Sequence, residues 1–78
     1  MAFVGQTEER KISTTNGKTY KIFLTEQVGG HWVATILYAN SGVVTTHNEI
    51  APSKAGAYKK ASEWTLANID WNASVESL

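Results

Sequence analysis

The stretch His-Trp-Val-Ala-Thr-Ile-Leu-Tyr, residues 31 to 38, decides the fold. β-branched and aromatic residues dominate it, no glycine or proline interrupts it, and its length is that of a strand. Side chains alternate across a strand, so Trp32, Ala34, Ile36 and Tyr38 point one way and Val33, Thr35 and Leu37 the other. Upstream, Gly29-Gly30 separates it from Thr-Tyr-Lys-Ile-Phe-Leu-Thr-Glu at 19 to 26, a second strand with Tyr20, Ile22 and Leu24 on one face and Phe23 and Thr25 on the other. Before that lies Asn16-Gly17, the strongest short hairpin signal. It predicts a type I′ turn, with both central residues at positive φ, and an earlier strand from about Glu8 to Thr14. Glu8, Glu9, Arg10 and Lys11 suit an exposed edge strand, and the turn's register decides which face Ile12 joins. Downstream, Asn40-Ser41-Gly42 marks another tight turn and Val43 to Asn48 a fourth strand. A four-residue connection over Ala39–Gly42 would pair Tyr38 with Val43 and Ala34 with His47. It would add Val43 and Thr45 to the Tyr38 face, and Val44 and Thr46 to the other.

The period changes at Pro52, the single proline. Ser53 is placed to cap a helix by accepting from a free N–H of its first turn. From Lys54 to about Ile69, Ala57, Tyr58, Ala61, Trp64, Thr65, Asn68 and Ile69 gather on one arc at 100° per residue. Lys59, Lys60, Glu63 and Asp70 fall outside that arc. Asn68 is polar within the arc: either the helix ends near it and it takes a C-terminal cap position, which is the favoured reading, or it bonds a buried backbone group. Trp71 falls at the arc's edge or past the end, and 72–78 reads as a frayed, flexible tail.

The expected fold is therefore α+β: a four-stranded antiparallel meander over about residues 8–49, β-β-β-β-α in order, with one C-terminal helix at about 54–69 packed on one face. It forms one domain spanning 1–78. The face carrying Tyr20, Ile22, Leu24, Trp32, Ala34, Ile36 and Tyr38 has the larger apolar payload and should receive the helix. Small Ala57 and Ala61 would allow close approach there. The other face presents Phe23, Val33, Leu37 and Val44 among Thr25, Thr35 and Thr46, more apolar than a solvated face needs to be. One helix cannot cover both sides. The second is left to water, to the N-terminal Phe3-Val4, to a second copy of the chain, or to another protein.

Composition limits the chemistry. The 78 residues balance seven basic against seven acidic side chains, and 42% are apolar, which is globular rather than disordered. There is no cysteine, so disulfides, thiolate catalysis and cysteine-based zinc sites are excluded. No stretch reaches the roughly 20 apolar residues of a membrane helix, and the opening residues lack the basic and apolar regions of a signal peptide, so the expected compartment is the cytosol. His31 and His47 are the only histidines and lack a third convergent ligand for zinc. His47 and Glu49 share a strand face, but no Gly-x-Ser-x-Gly elbow accompanies them. The glycines form neither a dinucleotide-binding nor a Walker pattern. No enzymatic activity and no cofactor are expected.

The lysines weigh on the side of nucleic acid. Ser53-Lys54-Ala55-Gly56-Ala57-Tyr58-Lys59-Lys60-Ala61, following a sheet, resembles in layout the lysine-bearing helix start of double-stranded-RNA-binding domains. It also resembles three-stranded DNA-reading domains that end in an alanine-rich helix. The first family's N-terminal helix is missing, the chain has one arginine, and its net charge is zero where such binders are basic. That likeness implies a weak nucleic-acid-binding surface of Arg10, Lys18, Lys21, Lys54, Lys59 and Lys60. The plainer reading makes Lys59 and Lys60 a solvated helix face paired with Glu63. The leading expectation is a small non-catalytic binding module. It would work through protein–protein contact or self-association, with Phe23, Val33, Leu37 and Val44 as anchors on the helix-free face.

Overall fold

Three turns join the four long strands of the meander, and two of them differ from the sequence reading. In the computed structural model, which describes residues 3–78 and the side chains from Thr7 onward, Ser41 and Gly42 both take positive φ, 53° and 81°. That is the type I′ geometry, whose twist matches the flanking strands. The strands beside it are β3 (Trp32–Asn40) and β4 (Val43–Ala51), closed by the pair Asn40–Val43. The expected four-residue connection is thus corrected to two residues. Tyr38 pairs with Thr45 rather than Val43, and Ile36 rather than Ala34 pairs with His47. The shift is an even number of residues, so every side chain keeps its expected face.

The other hairpin departs from expectation in the opposite sense. It joins β1 (Phe3–Ser13) to β2 (Thr19–Gln27), and of Asn16 and Gly17 only Gly17 has positive φ, at 86°. The Gly17 amide donates to the Thr14 carbonyl (3.2 Å) and the Thr14 amide to the Lys18 carbonyl (2.9 Å). This is a three-residue loop, a tight turn followed by a glycine bulge, and not type I′. It pairs Ile12 with Tyr20 and so places Ile12 on the helix side, fully buried.

Ser53 caps the helix as expected. Its backbone is extended and its hydroxyl accepts from the Gly56 amide at 3.0 Å. Helix α1 (Lys54–Asn68) lies over β3 and β4 and reaches β2. Ala57 and Ala61 are fully buried against Ile12, Ile22, Leu24, Ala34 and Ile36, with Tyr20, Trp32, Tyr38 and Trp64 packed around them. Thr65, also fully buried, satisfies its hydroxyl on the Ala61 carbonyl one turn back (2.9 Å). Asn68 ends the helix, exposed, its amide donating to the Trp64 carbonyl at 2.9 Å.

The chain's end departs from the expected frayed tail. A short strand β5 (Ser74–Val75) pairs antiparallel with β1 at Ile12 and Ser13, giving the sheet order β4-β3-β2-β1-β5. The Glu76 amide donates to the Lys11 carbonyl (3.1 Å), the Lys11 amide to a Glu76 carboxylate oxygen (2.6 Å), and the Tyr58 hydroxyl to the Glu76 carbonyl. Ala73 and Val75 pack on the core, extending the helix-side cover toward β1. Backbone pairing and apolar contact together offset the entropy of ordering this segment. Among the described residues the four long strands, the short fifth one and helix α1 make one small α+β unit. Among the described residues no helix is long and apolar enough to cross a membrane.

Candidate functional site

Register assembles the helix-free face row by row. Thr7, Thr25, Val33 and Ile50 face one another across the four long strands; beside them run Glu9, Phe23, Thr35 and Asn48, and then Lys11, Lys21, Leu37 and Thr46. Val44 stands next to Ala39 at the corner. All four expected anchors therefore share this face. Phe23, Val33 and Leu37 are half-buried by their neighbours within the sheet, and Val44 is 69% exposed. Val33 and Leu37 flank Thr35 on β3, and Phe23 faces Thr35 from β2, so the apolar groups form a continuous patch at the sheet's centre. A shallow hollow of about 310 Å³ opens beside Leu37, Val44 and Lys21.

Two polar pairs of the face are tied down. Lys21 Nζ lies 3.1 Å from a Glu9 carboxylate oxygen, which offsets the like charge of Lys11 across from Lys21. The Thr35 hydroxyl donates to Asn48 Oδ1 at 2.6 Å. Ile50, 58% exposed, is a further apolar member that the expected end of the fourth strand at Asn48 left out. The alternation Val44, Thr46, Asn48, Ile50 carried the signal. The side chains of Phe3 and Val4, one expected cover, lie outside the described residues, and no described element crosses the face.

The six basic candidates do not converge. Arg10 and Lys54 both meet Glu8, at 3.0 and 2.7 Å, and Lys54 Nζ sits 5.7 Å from the centre of the Trp32 ring. The Lys54 hydrogen bond first, then the charges of Lys54 and Arg10, hold the Glu8 carboxyl below its ordinary range against a desolvation that pushes it up. Lys21 faces the opposite side of the sheet, and Lys18 lies beyond the far end of the helix, beside the first hairpin. Lys60 donates to the Ile50 carbonyl (2.9 Å) and Lys59 is exposed. Glu63, their expected partner, enters no ion pair among the described residues.

His47 lies under the helix with its ring stacked on Trp64, 3.9 Å between centroids and 8° between planes. Its Nε2 meets Glu49 Oε2 at 2.5 Å, so the pair on one strand face is real. Its register opposite Ile36 and that stack lock the imidazole. Among the described residues no hydroxyl reaches it, and no three potential metal ligands gather anywhere. His31 is exposed at the start of β3. At the C-terminal end of α1, a cleft of about 400 Å³ is lined by Asn16, Lys18, Tyr20, Tyr38, Trp64 and Asn68. Tyr38 and Trp64 meet there at 5.3 Å, tilted by 57°. The sequence showed these aromatics as core material but not the opening beside them, because Asn16 and Asn68 are far apart along the chain.

Comparison with family models, curated proteins and solved structures finds no match to this chain.

Proposed function

We propose that this chain is a small non-catalytic binding module that engages a protein partner through its helix-free sheet face. Phe23, Val33, Leu37 and Val44 are its anchors, and Ile50 extends them. One observation carries the reading: these five apolar side chains stand on a single face that no described element covers, while the helix is spent on the opposite face. An apolar patch bounded on its β1 side by Glu9, Lys11 and Lys21 and running out to Val44 and Ile50 on the β4 edge has the mixed composition of a docking surface. The nucleic-acid reading lacks a comparable gathering, since its basic residues divide between both faces and both ends of the sheet.

Leu37→Lys tests it. The variant keeps the wild-type melting temperature within a few degrees, because Leu37 contributes little to the core, and loses the partner captured by wild type from the native host. A variant that fails to fold places Leu37 in the core and overturns the assignment. A folded variant that captures the same partner as wild type removes this face from binding.

A further inference from the structure

The two edges of the sheet are treated differently. On the β1 edge, β5 pairs with Ile12 and Ser13 only, Glu76 bonds Lys11 through both backbone and carboxylate, and the uncovered stretch just before them carries the charges of Glu8, Glu9 and Arg10. On the other edge, β4 has β3 on one side and no strand on the other among the described residues. Natural edge strands are commonly blunted by lysine, proline, a bulge or short length. β4 runs Val-Val-Thr-Thr-His-Asn-Glu-Ile-Ala, contains neither lysine nor proline, has one carboxylate, Glu49, which is turned to the helix side and bound to His47, and pairs with β3 from Val43 to Ala51 without a register shift.

The hairpin fixes which groups point outward. A two-residue turn closes on a hydrogen-bonded pair, here Asn40–Val43, so alternate residues Val44, Thr46, Asn48 and Ile50 turn their N–H and C=O away from β3. The Lys60 ammonium on the Ile50 carbonyl, 2.9 Å, marks one of these outward acceptors.

We infer that β4 is an antiparallel pairing edge for a second copy of this chain, centred on His47. Two identical antiparallel strands are related by a two-fold axis normal to the sheet, which keeps like faces together and both helices on one side. Centring on His47 uses the whole strand. Val44 then faces Ile50 of the second copy and Ile50 faces its Val44, so the two most exposed apolar residues of the open face cover each other at both ends. Thr46 faces Asn48, two residues able to hydrogen-bond. On the helix side Glu49 faces Thr45, and His47 faces His47 of the second copy across the two-fold axis, each imidazole already held by Glu49 and stacked on Trp64. Outward donors meet outward acceptors at both pairs, and Lys60 releases the Ile50 carbonyl to the amide of Val44 in the second copy. The contact is narrow compared with the roughly 800 Å² per partner of a standard interface, so the dimer is weak and concentration-dependent. It joins two open faces into one continuous surface, which goes beyond the docking reading and does not depend on it.

Sedimentation from about 10 μM to about 1 mM, with amide exchange followed by NMR, tests the pairing. Wild type dimerises across that range, and the amides of Val44, Thr46, Asn48 and Ile50 gain protection as it does. Thr46→Pro removes only an outward N–H and weakens dimerisation at least about tenfold. If Thr46→Pro does not fold, Thr46→Lys serves the same end, since it leaves the backbone intact and sets charge against Asn48. Wild type that stays monomeric throughout overturns the inference. So does a dimer in which those four amides gain no protection, or one that both edge variants leave intact but Leu37→Lys abolishes, which would assign association to the open face instead.

Discussion

Ile36 and Leu37 are neighbours on β3 and meet opposite fates. Ile36 is fully buried with Ile22, Leu24 and Ala34 beneath the helix; Leu37 is half-buried beside Lys21 and Thr46 with no described element above it. The two faces are built from alternate residues of the same strands, so strand propensity does not separate them. What separates them is the helix. Ala57 and Ala61 let it approach until large side chains of the sheet fill the space around them, and the segment from Ile69 to Val75 carries the cover on to β1. A chain with one helix completes one such layer. The second face keeps its threonines and a central apolar patch, and that remaining hydrophobic surface is what makes it a candidate for binding.

The sharpest way to break this comparison is to truncate the two neighbours separately. Ile36→Ala opens a cavity in a filled layer and costs about 2–5 kcal/mol. Leu37→Ala, losing a half-exposed side chain, costs no more than about 1 kcal/mol. Urea unfolding of both variants reads the difference. Equal losses would mean that the open face is packed as tightly as the helix side.

A second test overfills the covered side. Ala61 is fully buried in the core between helix and sheet, and Ala61→Leu has no solvent-facing room to enter. It costs roughly 1–3 kcal/mol by forcing side chains off their rotamers or the helix away from β3. Unchanged stability in thermal melts would show that the layer contains slack, and the contrast between the faces would weaken accordingly.

The sequence made the faces legible and the connections less so. Period-two alternation in β2 and β3 assigned Ile22, Leu24, Ala34 and Ile36 to the core, and Ser53 with Pro52 marked the helix start. The open face followed from the same alternation. The connections resisted because turn type depends on one or two φ values that composition only biases. Asn16-Gly17 had the letters of a type I′ turn and formed a bulged loop, while Ser41-Gly42 formed the type I′ turn. Misreading the latter moved the register by two and hid the His47–Trp64 stack, since that contact needs both the register and the helix's position. β5 was illegible for another reason. Two residues carry no periodicity, and their pairing rests on partners far away in the chain: Ile12, Lys11 and the Tyr58 hydroxyl.

The smallest expected effect concerns how the helix end is fastened to the sheet, and it separates the fastened side by pH. One Asp70 carboxylate oxygen accepts from the Thr15 amide (2.7 Å) and hydroxyl (2.8 Å), and the other from the Asn72 amide (3.0 Å), which hold its carboxyl below the ordinary 3.8. At the opposite end of the sheet, Lys54 and Arg10 hold Glu8 below its ordinary 4.5. Both carboxyls bind protons less readily folded than unfolded. Their stabilisation is therefore complete above the unfolded values and drains away as pH falls through the lower, folded ones. The melting temperature should stay level on descending to about pH 5 and decline below it. Asp70→Asn removes part of that decline and leaves the remainder to Glu8, and because both carboxylates are only partly buried the change of slope is modest. An acid slope unchanged in Asp70→Asn would mean that the link between Asp70 and Thr15 contributes nothing to holding the helix end on the first hairpin.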